Sequence, residues 1–197
     1  RVAAGEALPL TQEQVRYEGH AIEVRLCAED ADQGFMPQSG TVALWKMPAQ
    51  LRVEDALRSG AEIPPYYDSM IAKIISHGRT RDEARRKLAA GLEDAVALGV
   101  TTNQAFLRSC LAHPVFAAGG ATTAFIGQHQ DALLAPDDEA RERAAALAAV
   151  LLYETTGERK QRAAGRRLSH RLPISLRFEV PGQARHASLT QPRQHHF

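Results

Sequence analysis

Arg52 is the residue whose type and setting point most directly to chemistry. It lies in the run Leu51-Arg52-Val53-Glu54, upstream of Pro64-Pro65-Tyr66-Tyr67-Asp68-Ser69-Met70. An arginine stays protonated and offers planar N–H donors in a fork. Held in place, such a fork can bind a ligand oxygen and stabilise negative charge that develops on it. In an extended segment Arg52, Glu54 and Ala56 share one face. The pattern alone leaves two readings open: a fixed cation facing a ligand oxygen, and a surface charge or partner of Glu54. The Pro-Pro-Tyr-Tyr turn is read as stiff, either offering aromatic faces for packing or covering the core.

Other chemistries lack the residues they need. The Gly-Gly pair Gly119-Gly120 sits in neither a dinucleotide fingerprint nor a P-loop, so nothing grips a triphosphate unaided. The eight histidines fall at no metal-ligand spacing, and the adjacent His195 and His196 are poorly placed to converge on one ion. No metal site is expected. Cys27 and Cys110 form no Cys-x-x-Cys pair and are too few for a disulfide framework. Both are expected to be buried, reduced thiols in a cytosolic compartment. No nucleophile elbow is present.

Several elements must position Arg52. Ala21 to Cys27 alternates, with Ile22, Val24 and Leu26 on one face, and predicts a strand. Thr41 to Trp45, Leu51 to Leu57 and Met70 to Ser76 are further strands, while Pro64 and Pro65 keep their segment out of a central ladder. Thr80-Arg81-Asp82-Glu83 matches a capping box. The helix it opens carries Ala84, Leu88, Leu92, Ala95 and Val96 at helical spacing, with Gly99 placed to end it. Further helices are predicted at Asn103 to Leu111 before Pro114, Thr122 to Leu134 before Pro136, and Asp138 to Glu154. Strands followed by helices indicate an α+β fold with an antiparallel sheet.

Of the 197 residues, 44% are hydrophobic and 24% charged, which excludes wholesale disorder and a collagen-like chain. The longest uncharged apolar run, Ala144 to Tyr153, is about half of a membrane span, and no signal-peptide pattern opens the chain. The net charge of +1 hides an asymmetry: Arg159 to Phe197 holds nine bases and one acid, against 15 bases and 22 acids before it. A basic tail or the start of another domain both fit such a shift.

Four blocks carry a resemblance. They are Gly19-His20-Ala21-Ile22-Glu23-Val24-Arg25-Leu26-Cys27-Ala28-Glu29-Asp30, Phe35-Met36-Pro37-Gln38-Ser39-Gly40, Ile63 through Lys73, and Gly99-Val100-Thr101-Thr102-Asn103. In order and spacing they resemble the C-terminal domain of biotin carboxylases over about residues 1–134. Arg1 to Glu6 resembles the end of the helix that follows the family's ATP-grasp part, so the chain resembles a fragment starting after it. More faintly, Ala144 to Glu154 and Pro173 to Val180 resemble the linker and barrel region of acyl-CoA carboxylase α subunits. Leu26 to Asp30 and Ala121 to Ile126 are most similar to methylcrotonyl-CoA or geranyl-CoA carboxylases.

The resemblance implies ATP-dependent carboxylation of carrier-bound biotin by bicarbonate, a ligase reaction with biotin, ATP and Mg2+ or Mn2+. Arg52 matches the family's arginine that binds bicarbonate and stabilises the biotin enolate. The family's ATP contacts, metal ligands and base fall before residue 1, so the fragment is expected to be inactive alone. Pro48-Ala49-Gln50 departs from the family by lacking the glycines often found there. The implied partners are a biotin carboxyl carrier domain and a carboxyltransferase β subunit, within an oligomer.

The expected organisation is a biotin carboxylase C-terminal domain over 1–134, an antiparallel sheet with packed helices. A linker helix and a partial β-rich subunit-contact domain follow over 135–197. There, Ile174 to Val180 paired with Ala184 to Leu189 would leave strand edges open. A cytoplasmic protein binding neither nucleic acid nor membrane is expected. The alternative is a non-catalytic interaction module whose basic C-terminal segment binds a partner protein or nucleic acid.

Overall fold

A computed structural model describes residues 1–155, 174–180 and 183–189. The basic stretch 156–173 and the tail 190–197 lie outside the described residues. The chain divides into two compact units, Arg1–Ala135 and Pro136–Phe197.

In the first unit the strands are β1 (His20–Cys27), β2 (Glu29–Asp30), β3 (Met36–Pro37), β4 (Gly40–Thr41), β5 (Leu44–Lys46), β6 (Arg52–Asp55), β7 (Glu62–Ile63) and β8 (Met70–Gly78). Helix α1 (Arg81–Asp94), strand β9 (Val96–Leu98) and helices α2 (Gln104–Ala112), α3 (Pro114–Ala117) and α4 (Phe125–Leu133) follow. The main sheet has the order β1-β8-β6 and is antiparallel throughout. Short ladders β2-β3, β4-β7 and β5-β9 surround it. The fold is α+β, as the order of elements predicts.

Alternation sets which side of the sheet is apolar. Val24 and Leu26 of β1 and Ala72 and Ile74 of β8 pack with Leu88 and Leu92 of α1 and Leu111 of α2. Val53 of β6 joins the edge of this core. Ser76, buried at the end of β8, donates its hydroxyl to Ala84 O at 2.7 Å and ties the strand to α1.

Helix α1 starts where its signal predicts, with Thr80 Oγ1 accepting from Glu83 N–H at 3.1 Å. The reciprocal half of the box differs, because the Glu83 carboxylate accepts from Arg79 N–H, one residue before the cap. The helix ends at Asp94, short of the predicted stop at Gly99. Gln104 donates through Nε2 to Leu92 O and Ala95 O, covering the free carbonyls of the last turn. Val96–Leu98 pairs with β5 instead. Gly99 has a positive φ of 102° but does not cap the helix. Its bare Cα sits against the backbone of Thr41 and Ala43, where any side chain would collide.

Residues 2–4 form a single 3-10 turn rather than the end of an α-helix. Pro114 opens α3 as well as marking the end of α2, with His113 capping it. In the second unit, helix α5 (Asp138–Thr155) touches both strands of an antiparallel pair formed by β10 (Ile174–Val180) and β11 (Gln183–Leu189). Ala149 is buried, while Leu147, Val150 and Leu151 remain exposed. Among the described residues no helix is long and apolar enough to cross a membrane.

Candidate functional site

Strand β6 is fastened at both ends and along its inner side. Before it, Leu51 packs into a notch on α1 left by Gly91. In its middle, Val53 is in register with Ile74 of β8 and faces the core. At its end, Asp55 Oδ2 accepts from Trp45 Nε1–H at 2.9 Å. Trp45 is itself held, its backbone N–H donating to Ser59 Oγ at 3.0 Å. Side chains alternate along a strand, so inward Val53 and Asp55 leave Arg52 and Glu54 on the opposite face.

That outer face carries charged side chains around Ile75. Across the sheet, Arg52 lies in register with Ile75 and Glu23, and Glu54 with Lys73 and Arg25. Arg52 Nε donates to Glu54 Oε1 at 2.6 Å, with 73% of the Arg52 side chain exposed. The structure thus brings together the two residues that the sequence places on one face. Glu54 bonds only the inner nitrogen, and among the described residues nothing bonds the two terminal nitrogens. They face solvent as a free fork.

The Pro-Pro-Tyr-Tyr turn neither packs its rings nor covers the core. Tyr66 and Tyr67 are 87% and 84% exposed. The turn is anchored by its polar end, where Asp68 Oδ1 accepts from Met70 N–H at 2.7 Å and Ser69 Oγ donates to Glu29 Oε1. These bonds set the start of β8, and through its register the position of β6.

Asn103, read from sequence as the start of a helix and as the last residue of a resemblance block, holds the free edge of β1. Its Oδ1 accepts from Cys27 N–H at 2.9 Å, its Nδ2 donates to Arg25 O, and its own N–H donates to Cys27 O at 3.1 Å. The side chain stands in for a neighbouring strand, and no periodicity signals that. Cys27 and Cys110 are free and half-buried rather than fully buried. Burial raises both thiol pKa values, Cys110 to about 11, with Glu29 adding to the effect at Cys27.

Among the described residues no group of three or more His, Cys, Asp or Glu side chains could hold an ion.

Residues 23–128 match the model of the biotin carboxylase C-terminal domain. The α subunit of mitochondrial methylcrotonoyl-CoA carboxylase from Dictyostelium discoideum is 36% identical over 191 residues, covering 90% of this chain and 27% of that protein. Biotin carboxylase 1 of Bacillus subtilis (strain 168) is 43% identical over 128 residues, covering 64% of this chain and 28% of the relative. The chain therefore spans about a quarter of the length of these relatives.

Among solved structures, the biotin carboxylase domain dimer of Hydrogenobacter thermophilus 2-oxoglutarate carboxylase, in complex with MgADP, ADP and bicarbonate, superposes with a TM-score of 0.66. It has 36% identity and covers 70% of this chain and 31% of that one. The family match takes in β6, β8, the Tyr66-Tyr67 turn and Asn103 together. This chain belongs to the biotin carboxylase C-terminal domain family.

Proposed function

We propose that this chain is the C-terminal part of the biotin carboxylase subunit of an acyl-CoA carboxylase of the methylcrotonyl-CoA or geranyl-CoA type. Such a subunit carboxylates carrier-bound biotin with bicarbonate at the expense of ATP. The observation that carries the reading is the free fork of Arg52, presented on a strand fastened at both ends within a chain of this family. A planar oxyanion such as bicarbonate fits two parallel N–H donors. The same cation suits the ureido oxygen of biotin, where negative charge develops as the ring nitrogen loses its proton.

The described residues do not fit ATP or its divalent cation, lacking both a phosphate-binding loop and a cluster of ligands. On this reading those groups belong to other parts of a longer subunit, and this chain supplies the oxyanion contact. Support for the acyl-CoA carboxylase context comes from the extent of the matches. The methylcrotonoyl-CoA carboxylase relative aligns over 90% of the chain, beyond the first unit, whereas the Bacillus subtilis biotin carboxylase covers 64%. The second unit is accordingly assigned to contact with a carboxyltransferase β subunit.

The test is Arg52→Lys in a full-length subunit containing this segment. Lysine keeps the charge and loses the fork, so biotin carboxylation should fall by roughly 2.7–4 kcal/mol of transition-state stabilisation. Near-normal turnover would overturn the role of Arg52. The chain alone should show no bicarbonate-dependent ATP cleavage.

A further inference from the structure

The way Glu54 holds Arg52 goes beyond a simple ion pair. Same-face neighbours on a strand stand about 6.8 Å apart. A glutamate is shorter than an arginine, so from that distance it reaches the near side of the guanidinium and not its tip. The structure shows this arrangement: Glu54 Oε1 meets Arg52 Nε at 2.6 Å, and the terminal nitrogens remain unbonded among the described residues. A carboxylate that gripped those nitrogens would occupy the fork as an anion does. One that grips Nε fixes the plane of the guanidinium and leaves four of its five N–H donors to a ligand.

The surroundings favour that division of labour. Lys73 stands across β8 in register with Glu54, and Arg25 stands beyond it on β1. Neither makes an ion pair among the described residues. Like charges directly opposite one another on adjacent strands are unfavourable. Here they set two cations in the same row as Glu54 and offset its repulsion of an incoming anion. Glu23 stands in the row of Arg52, so the face holds three cations, Arg52, Lys73 and Arg25, against the two acids Glu54 and Glu23. Glu54 can therefore orient Arg52 without making the face repel an oxyanion.

We infer that Glu54 is a positioning residue for Arg52, holding the guanidinium by Nε so that its two terminal nitrogens meet bicarbonate end-on. The inference rests on the reading of Arg52 proposed above.

The experiment is steady-state biotin carboxylation by the full-length subunit, with bicarbonate and ATP varied separately. The variants are Glu54→Gln, Glu54→Ala, Arg52→Ala and the double variant Arg52→Ala/Glu54→Ala. Misplacing a contact group by about an ångström lowers rates up to roughly a hundredfold. Glu54→Gln and Glu54→Ala are each expected to lower kcat/KM for bicarbonate by roughly tenfold or more. KM for ATP should be unchanged, which a general structural lesion would not achieve. In the Arg52→Ala background, Glu54→Ala should add less than about twofold, because a residue that acts through Arg52 has nothing left to orient.

If Arg52→Ala abolishes turnover while Glu54→Ala stays within about twofold of the parent, Arg52 orients itself and the inference is overturned. Losses that multiply in the double variant would assign Glu54 a separate role, and also overturn it. Full activity in Arg52→Ala would instead remove the reading of Arg52 itself, and this inference with it.

Discussion

Leu51 fills the space that a side chain on Gly91 would need. A Cβ at position 91 would stand 3.0 Å from Leu51 Cγ and nearer still to Cδ1. A glycine inside a helix costs about 1 kcal/mol relative to alanine, so this notch opposes the intrinsic preference of α1. Gly91→Ala should recover that preference but overpack Leu51, for which penalties of roughly 1–3 kcal/mol are typical. The expected outcome in urea denaturation is a net loss of about 1 kcal/mol in the parent chain. In a Leu51→Ala background the same change should become stabilising. A stabilising Gly91→Ala in the parent would show that β6 is not keyed to α1 at this point.

Asn103 supplies both a donor and an acceptor to the backbone of β1 from a buried position. Asn103→Ala leaves those groups without their partner, and a buried unsatisfied polar group is worth roughly 1–3 kcal/mol. A loss of that size is expected in chemical denaturation. Amide hydrogen exchange should rise at Cys27, whose N–H meets the Asn103 side chain at 2.9 Å, before it rises in the α1 core.

The Glu83 carboxyl is held at a pKa of about 2, against an ordinary 4.5, by its hydrogen bond to Lys87 first and to Arg79 N–H second. A carboxyl whose folded pKa is depressed binds its proton more weakly in the native state than in the unfolded chain. Its contribution is thus fully present above about pH 4.5 and is lost as pH falls through about 2. An NMR titration of the Glu83 side chain should show the low midpoint. Lys87→Met should raise it toward 4.5 while the Arg79 N–H bond keeps it below that value.

Burial pushes the Cys110 thiol up to about 11. At pH 8 its thiolate fraction is roughly two-hundredfold smaller than that of a free cysteine with a pKa near 8.5. Alkylation by iodoacetamide, followed by mass spectrometry, should be slower than that of a free thiol by about that factor, and should speed up as pH approaches 11. Labelling at the rate of a free thiol would mean that the region around α2 opens readily.

The legible parts of this chain were those whose signals are local. Thr80 and Glu83 announce the start of α1 because a cap is made by neighbours, and alternation announces β1 because Val24 and Leu26 lie two residues apart. The end of α1 was not legible. It is decided by Gln104, which binds its last carbonyls, and by β5, which takes Val96–Leu98 into a ladder some fifty positions away in sequence. Tyr66 and Tyr67 misled for the opposite reason, since aromatic content suggests packing while the polar side chains of Asp68 and Ser69 hold the turn. At the site, Arg52 and Glu54 were visibly on one face. Which guanidinium nitrogen the acid takes depends on side-chain geometry that spacing does not carry.

The pairing of β1 with β8 joins Cys27 to Met70 and His20 to Gly78, contacts separated by roughly fifty positions along the chain. Sheets closed over such long loops form late, because the loop entropy must be met before the contacts stabilise anything. By contrast, β8 and α1 are adjacent in sequence and already share Ile74, Leu88 and Leu92, so they are the natural nucleus. The arginine-bearing β6 can dock only on a β8 that is in place, and its Leu51 key needs a formed α1 to receive it. In kinetic terms, the geometry of Arg52 is therefore acquired only after the β8–α1 nucleus has formed, and no earlier than the helical signal of α1 returns.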